Sequence, residues 1–267
     1  MDTLLSEDEQ LIKNTIKDYS TQEIAPRASN YDLNNEFPWD NIHGLAKLGM
    51  FGLTIEEEYG GTGGSMRQLC IVVEEISRAC ASTGIIYIAH LSLCAQLIQM
   101  YGSKTQKKKY LPELVNANKI GAFALTEPDA GSDAGGLNSS IELINNHYIL
   151  NGSKTYITNA PEAEIFIVLA SKDKSLGNKG IEALIVEKSK GVDVIKQTGK
   201  MGIKASSTGQ ISFTNVKIPR QNRIGDEGTG FSLAMKSLNC SRIAVAAQCI
   251  GIAQASYEAA IKYAKNR

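Results

Sequence analysis

The chain has 267 residues, 28 basic and 28 acidic side chains, and therefore no formal net charge, with 43% hydrophobic residues. That length and balance suit one large or two ordinary globular domains with a real core, and exclude disordered, collagen-like and low-complexity chains. Zero net charge argues against a nucleic-acid or polybasic membrane binder, whose affinity rests on excess Lys and Arg.

The N-terminal segment, MDTLLSEDEQ, is acidic and lacks the apolar core of a signal peptide or the Arg-rich pattern of a transit peptide. Ser6-Glu7-Asp8-Glu9 reads as a capping box, followed by Leu11, Ile12, Ile16 and Tyr19 at helical spacing. Pro26 is expected to end that helix or the turn after it. Phe37-Pro38-Trp39 opens a second helix with proline at its first position, and Gly49 lies near its end. Gly60 to Gly64 form a loop. Two long helical patterns follow, Ser65–Ala81 and Thr83–Tyr101, then a short one from Ser103. The apolar stretch Gly84–Met100 is interrupted by His90, Ser92, Gln96 and Gln99, and reads as a buried core helix rather than a membrane span.

From residue 119 the pattern switches to period two and β-branched residues. The expected strands are 121–126, 140–143, 148–151, 165–170, 181–186 and 210–216, with a hairpin turn at Asn145-Asn146. Short strands with Gly, Asn, Ser and Lys turns suggest a small antiparallel barrel or sandwich. The last segment returns to helix, 228–237 and 239–267. Charge shifts at the same places: net −5 over residues 1–118, +3 over 119–225 and +2 over 226–267. The expected class is α+β: an N-terminal helical domain (1–118), a central β-barrel or sandwich domain (119–225) and the start of a C-terminal helical domain (226–267).

Most nucleotide and catalytic signatures fail. Gly60–Gly64 is not a dinucleotide loop, Gly152-Ser153-Lys154-Thr155 reads as a strand-to-strand turn rather than a phosphate loop, and there is no G-x-S-x-G elbow. Five scattered cysteines without a C-x-x-C pair read as reduced thiols, and three distant histidines do not make a zinc site. Lys107-Lys108-Lys109 reads as a solvated helix face, and His90 as a satisfied core histidine. Phe123-Ala-Leu-Thr-Glu-Pro-Asp-Ala-Gly-Ser-Asp133 is different. A strand runs into a turn crowded with hydroxyls and amides, a concave donor set suited to a phosphate or an electron-rich ring edge.

That segment resembles the flavin-binding signature of the acyl-CoA dehydrogenase family. Tyr156-Ile157-Thr158 stands where the family usually has Trp-Ile-Thr. Gly44–Gly49, Glu58–Gly61, His90-x-Ser-Leu93, Gln106–Pro112, Lys200–Lys204, Ser207-Thr208, Gly225–Phe231 and Tyr263–Arg267 also fit, in order. The resemblance implies an α-domain, a β-domain and a four-helix bundle of which only the first helix is present. It implies FAD between β-domain and bundle, and α,β-dehydrogenation of acyl-CoA thioesters to trans-2-enoyl-CoA in fatty acid β-oxidation. Electron-transfer flavoprotein would be the acceptor, in a homotetramer or dimer, in a prokaryotic cytoplasm or, after processing, the mitochondrial matrix.

By the same resemblance, Phe123, Leu125, Thr126, Ser132, Tyr156, Ile157 and Thr158 bind FAD. Thr158 would reach the flavin N5, Leu125 and Thr126 its pyrimidine edge, and Ser132 the pyrophosphate. Arg267 would reach FAD on a neighbouring subunit. Ser132, Asn239, Cys240, Ser241 and Arg242 would contact acyl-CoA. The family's base is a glutamate. Ser241 stands where a minority of members carry it, so the catalytic Glu is expected beyond residue 267, and residues 1–267 alone are expected to be inactive and to hold FAD weakly or not at all. Two other readings are an acyl-CoA oxidase or flavin monooxygenase on the same scaffold, and a non-catalytic binding protein that docks a partner through Ala244, Ala247, Ile250, Ile252 and Ala255.

Overall fold

The structure, a computed structural model, describes residues 4–267. Helix α1 (Glu7–Tyr19) starts on the Ser6–Glu9 capping box, in which each side chain takes the other's backbone amide. It does not stop before Pro26. A π-helical turn over Ser20–Ile24 carries the chain into α2 (Ala25–Asn34), where Pro26 sits in the first turn and needs no intrahelical donor. Pro38 caps rather than begins α3 (Trp39–Lys47).

Helix α4 (Met66–Ala79) has a second capping box, Ser65 with Gln68. Helices α5 (Ala81–Ile88) and α6 (Gln96–Tyr101) are joined by a π-helical stretch, Ala89–Ala95, into one continuous rod. Although interrupted by polar residues, Ala81–Tyr101 is long and apolar enough to cross a membrane by length and composition, but 78% of its apolar window is buried inside the protein. The rod is the spine of the helical layer. Helix α7 (Lys104–Val115) follows, capped by Ser103 and Gln106.

The strands are β1 (Ile120–Ala124), β2 (Ser140–Ile144), β3 (His147–Thr158), β4 (Ala163–Ser171), β5 (Ile181–Glu187), β6 (Val192–Lys196), β7 (Thr208–Pro219) and β8 (Arg223–Ile224). Asn145 and Asn146 make the expected two-residue hairpin, both at positive φ (45° and 64°), matching the right-handed twist of β2 and β3. The Gly152–Thr155 segment is not a turn. It lies within β3, which bulges against β7 between Leu150 and Gly152 and again between Lys154 and Ile157.

The expected barrel does not close. The hydrogen-bonded order is β6-β7-β3-β2-β4-β5-β8, and β1 lies beside β4. Its end strands β6 and β8 do not pair with each other, and one edge of β4 is shared. Parallel β1 covers it from Ala163 to Val168, and β2 reaches it at one pair, Ser140 with Ser171. The sheet is thus two antiparallel groups joined at a corner, with unpaired edges at β6 and β8.

One residue ties this sheet to the helical rod. His90 is fully buried; its Nδ1 accepts the Gly121 amide (3.0 Å) and its Nε2 lies 3.0 Å from the Leu114 carbonyl. Nδ1 must be unprotonated to accept, so the proton is assigned to Nε2. Burial pushes the imidazole down to about 4.

The last 36 helical residues form one helix, α8 (Gly230–Lys265), not two. It lies on α4 so closely that a Cβ at Gly251 would stand 2.2 Å from the Glu74 carbonyl oxygen. Of the apolar face expected on this helix, Ala244 and Ala247 are buried, whereas Ile250 is exposed and Ile252 and Ala255 are half-buried. A separate stripe, Ile243, Ala246, Ile250, Ala253 and Tyr257, faces away from the described residues.

Two outcomes follow. Gly251→Ala forces α8 off α4 and should cost about 1–3 kcal/mol in urea unfolding. The His90 contribution to stability is complete above pH 6.5 and is lost as pH falls through about 4, a loss of about 3 kcal/mol that urea titrations across that window measure.

Candidate flavin site

Strand β1 ends at Ala124, and the chain leaves it as the loop Leu125–Asp133. The bulged end of β3 runs alongside: the Thr155 amide donates to the Thr126 carbonyl (2.9 Å). Between them opens a cleft of about 190 Å³, lined by Phe123, Leu125, Thr126, Tyr156, Ile157, Thr158 and Ser241, with Ile85, Ile88, Ala89, Leu93, Leu238 and Val245 from α5, the π-helical stretch and α8. That space suits a ring system, below the ~300–1,000 Å³ of a pocket enclosing a whole small molecule.

Six of the expected flavin residues line this cleft together with one expected substrate residue, Ser241. Ser132 lies outside the lining, on an exposed turn whose Gly131 and Ser132 amides make no backbone hydrogen bond among the described residues. Asn239 and Arg242 are exposed and bond to each other (2.8 Å). Cys240 is half-buried on the same helix, and the Arg267 guanidinium lies 5.7 Å from the Tyr263 ring. These four residues of the helical segment do not reach the cleft.

Tyr156 has φ 57° and is 71% exposed. The left-handed region costs a bulky L-residue about 1–2 kcal/mol, and the bulge between Lys154 and Ile157 imposes it. The result is an aromatic side chain held on the rim of the cleft instead of in the sheet. Among the described residues the Thr126 and Thr158 hydroxyls have no hydrogen-bond partner. Two free hydroxyls beside a flat apolar slot, with an aromatic wall, fit the heteroatom-rich edge and apolar faces of an isoalloxazine.

Ser241 is buried, and its hydroxyl shares a hydrogen bond with that of Ser92 (3.1 Å), which also donates to the Ile88 carbonyl (2.7 Å). A neutral hydroxyl beside another neutral hydroxyl gains no basicity. Among the described residues the cleft lining holds no carboxylate.

The sequence reading missed the apolar wall from α5 and α8, and it missed Lys154. His90-x-Ser-Leu93 marked the right helix, but which face meets the cleft depends on the π-helical turn, which leaves no periodicity signal. Lys154 is 0% exposed and its Nζ lies 2.7 Å from Oε1 of Glu127, which is also buried. It donates to the Leu125 carbonyl as well (3.1 Å). The Glu127 carboxylate accepts the Asn138 and Ser139 amides (2.5 and 2.9 Å). Burial pushes Lys154 down to about 8. Burial works to raise Glu127, but Lys154 and the Ser139 and Asn138 hydrogen bonds outweigh it and hold the carboxyl below its ordinary range.

Three family profiles match the chain: acyl-CoA dehydrogenase N-terminal domain over residues 6–118, middle domain over 122–216 and C-terminal domain over 228–267. A short-chain specific acyl-CoA dehydrogenase of Clostridium acetobutylicum is 42% identical across all of this chain and 71% of its own length. The structure of butyryl-CoA dehydrogenase from Megasphaera elsdenii superposes with a TM-score of 0.96 at 40% identity, covering 100% of this chain and 71% of that one. A glutaryl-CoA dehydrogenase from Mycobacterium smegmatis, solved with FADH2, gives 0.93 at 28% identity, over 100% and 68%. The chain spans about 70% of the length of these proteins.

Tyr156→Gly relieves the left-handed strain and loses little packing. It should leave the unliganded protein as stable or up to about 1 kcal/mol more stable, while weakening its hold on a flat aromatic ligand; thermal unfolding with and without ligand measures both.

Proposed function

The chain belongs to the acyl-CoA dehydrogenase family, whose members are FAD-carrying oxidoreductases, and on that premise we propose that it carries the flavin and acyl sites of an enzyme oxidising short acyl-CoA thioesters to trans-2-enoyl-CoA. The observation that carries the reading is the cleft itself: the free Thr126 and Thr158 hydroxyls and the Tyr156 ring on one side, the apolar side chains of α5 and α8 on the other.

Bound there, FAD would supply the hydride acceptor for the substrate's β-carbon. The protein's own groups do the rest. Thr158 and Thr126 offer hydroxyl donors to the ring's polar edge, and Phe123, Leu125 and Ile157 hold water away from it. Tyr156 walls the open side. Ile85, Ile88, Ala89, Leu93, Leu238 and Val245 give an alkyl chain an apolar bed, and the short substrates named for the relatives support a short chain. Ser132, with its free amide on the exposed turn, is assigned to phosphate oxygens, and Asn239, Cys240 and Arg242 to the CoA moiety. Arg267 is assigned to FAD on a second subunit.

Proton abstraction next to the thioester carbonyl needs a carboxylate with a raised pKa. Ser241 is not one, so the base is assigned to the part of the relatives' length that residues 1–267 do not span. Electron-transfer flavoprotein as acceptor, and assembly into a dimer or tetramer, belong to the same proposal.

Of the two outcomes expected for residues 1–267, weak binding or none, the formed cleft selects weak binding: titration with FAD should quench flavin fluorescence with a dissociation constant of about 10 µM. The Thr126→Ala/Thr158→Val pair should weaken it at least tenfold with unchanged thermal stability, since neither hydroxyl has an internal partner. No quenching at tenfold higher FAD would remove the reading.

A further inference from the structure

The Lys154–Glu127 pair is costly and does not sit in the cleft. Two charges are removed from water, and such pairs are often no more stable than apolar replacements. Its geometry shows what the charge acts on. The Lys154 ammonium lies 3.1 Å from the carbonyl oxygen of Leu125. That oxygen belongs to the same peptide unit as the amide of Thr126, a residue lining the cleft. The next carbonyl, Thr126, is held by the Thr155 amide (2.9 Å). Across the trans peptide the Thr126 amide points opposite to the anchored Leu125 carbonyl, and among the described residues it has no backbone acceptor.

A cation bonded to a peptide oxygen also polarises that peptide and strengthens its N–H as a donor. Glu127 completes the arrangement. It holds the ammonium at 2.7 Å and is fixed in turn by the Asn138 and Ser139 amides, so the charge cannot swing away. Lys154 further lies at the bulge that turns Tyr156 onto the rim.

We propose that Lys154 is a positioning residue for the flavin: through the Leu125–Thr126 peptide it orients and strengthens the amide that meets the ring's polar edge, and so raises both affinity for FAD and the reduction potential of the bound cofactor. This rests on the assignment of the cleft to FAD. The potential is affected because a reduced ring is richer in electrons and gains more from a strong donor than an oxidised one does.

The test compares the unmodified protein with Lys154→Arg, Lys154→Met and the double variant Glu127→Gln/Lys154→Met, in which no uncompensated charge is buried. FAD affinity is measured by fluorescence titration, the midpoint potential of the bound flavin by dye-linked reduction, and folding by circular dichroism. The double variant should fold, bind FAD about tenfold more weakly, and show a midpoint potential lower by about 30 mV, the equivalent of a tenfold difference in hold between reduced and oxidised ring. Lys154→Arg should recover most of the potential. A folded double variant with the potential and affinity of the unmodified protein overturns the proposal and leaves the flavin site standing. An unmodified protein that takes up no FAD overturns the site and this inference together.

Discussion

The arrangement depends on a single seam, the one between β1 and the helical rod. The Gly121 amide is given to a fully buried histidine on that rod, and Asn159, from the turn after β3, donates to the carbonyls of both Ile86 and Gly121. A strand edge with unpaired amides is a liability unless it is covered. Here the covering is done by the helical layer, and in consequence the helical layer and the sheet cannot slide past each other. Strand β1 shares one edge of β4 with β2. The seam therefore aims the loop after β1 at the junction between the two layers.

What that loop presents is decided by charge buried beneath it. A Lys–Glu pair in an apolar interior contributes little net stability, and a packed apolar pair would serve the fold equally well. The pair instead anchors the Leu125 carbonyl, and the Thr155 amide holds the next one. The side chains that face the cleft are then left with free hydroxyls, Thr126 and Thr158, and with a tyrosine in a strained backbone conformation. Strain and unpaired donors concentrated at one place are what a binding site requires and what a purely structural turn avoids.

Helix α8 closes the cleft from the other side. The chain just before its N-cap is held by Glu182, a fully buried residue of β5 that accepts the Gly228 amide (3.0 Å), and its middle is locked to α4 at Gly251, where only a hydrogen fits. Gln248 donates to the Ala81 carbonyl (2.9 Å), joining α8 to the start of the rod. The apolar stripe from Ile243 to Tyr257 runs on the opposite face at coiled-coil spacing. One helix thus has a side committed to this chain and a side whose composition is that of a packing surface.

Much of this was legible in the residues alone. The Ser6–Glu9 cap, the Asn145-Asn146 hairpin, the change from helical to two-residue periodicity near residue 119 and the buried nature of His90 are local signals, each carried by neighbours in sequence. The Phe123–Asp133 and Tyr156–Thr158 motifs, through their resemblance, also placed six lining residues in one site. The positions that failed are non-local. Gly152–Thr155 looks like a turn, because glycine and serine carry turn propensity, yet pairing with β7 draws it into a strand. Of the expected barrel or sandwich the strands are present, but closure would need β6 to meet β8, which no local pattern specifies. Lys154 falls in the stretch read as a turn, and a lone lysine carries no mark of burial; it becomes intelligible only when Glu127, 27 residues away, and the Leu125 carbonyl are brought to it. Periodicity and caps are short-range physics and survive in one dimension, whereas edge occupancy and charge pairing depend on distances that exist only after the chain has folded.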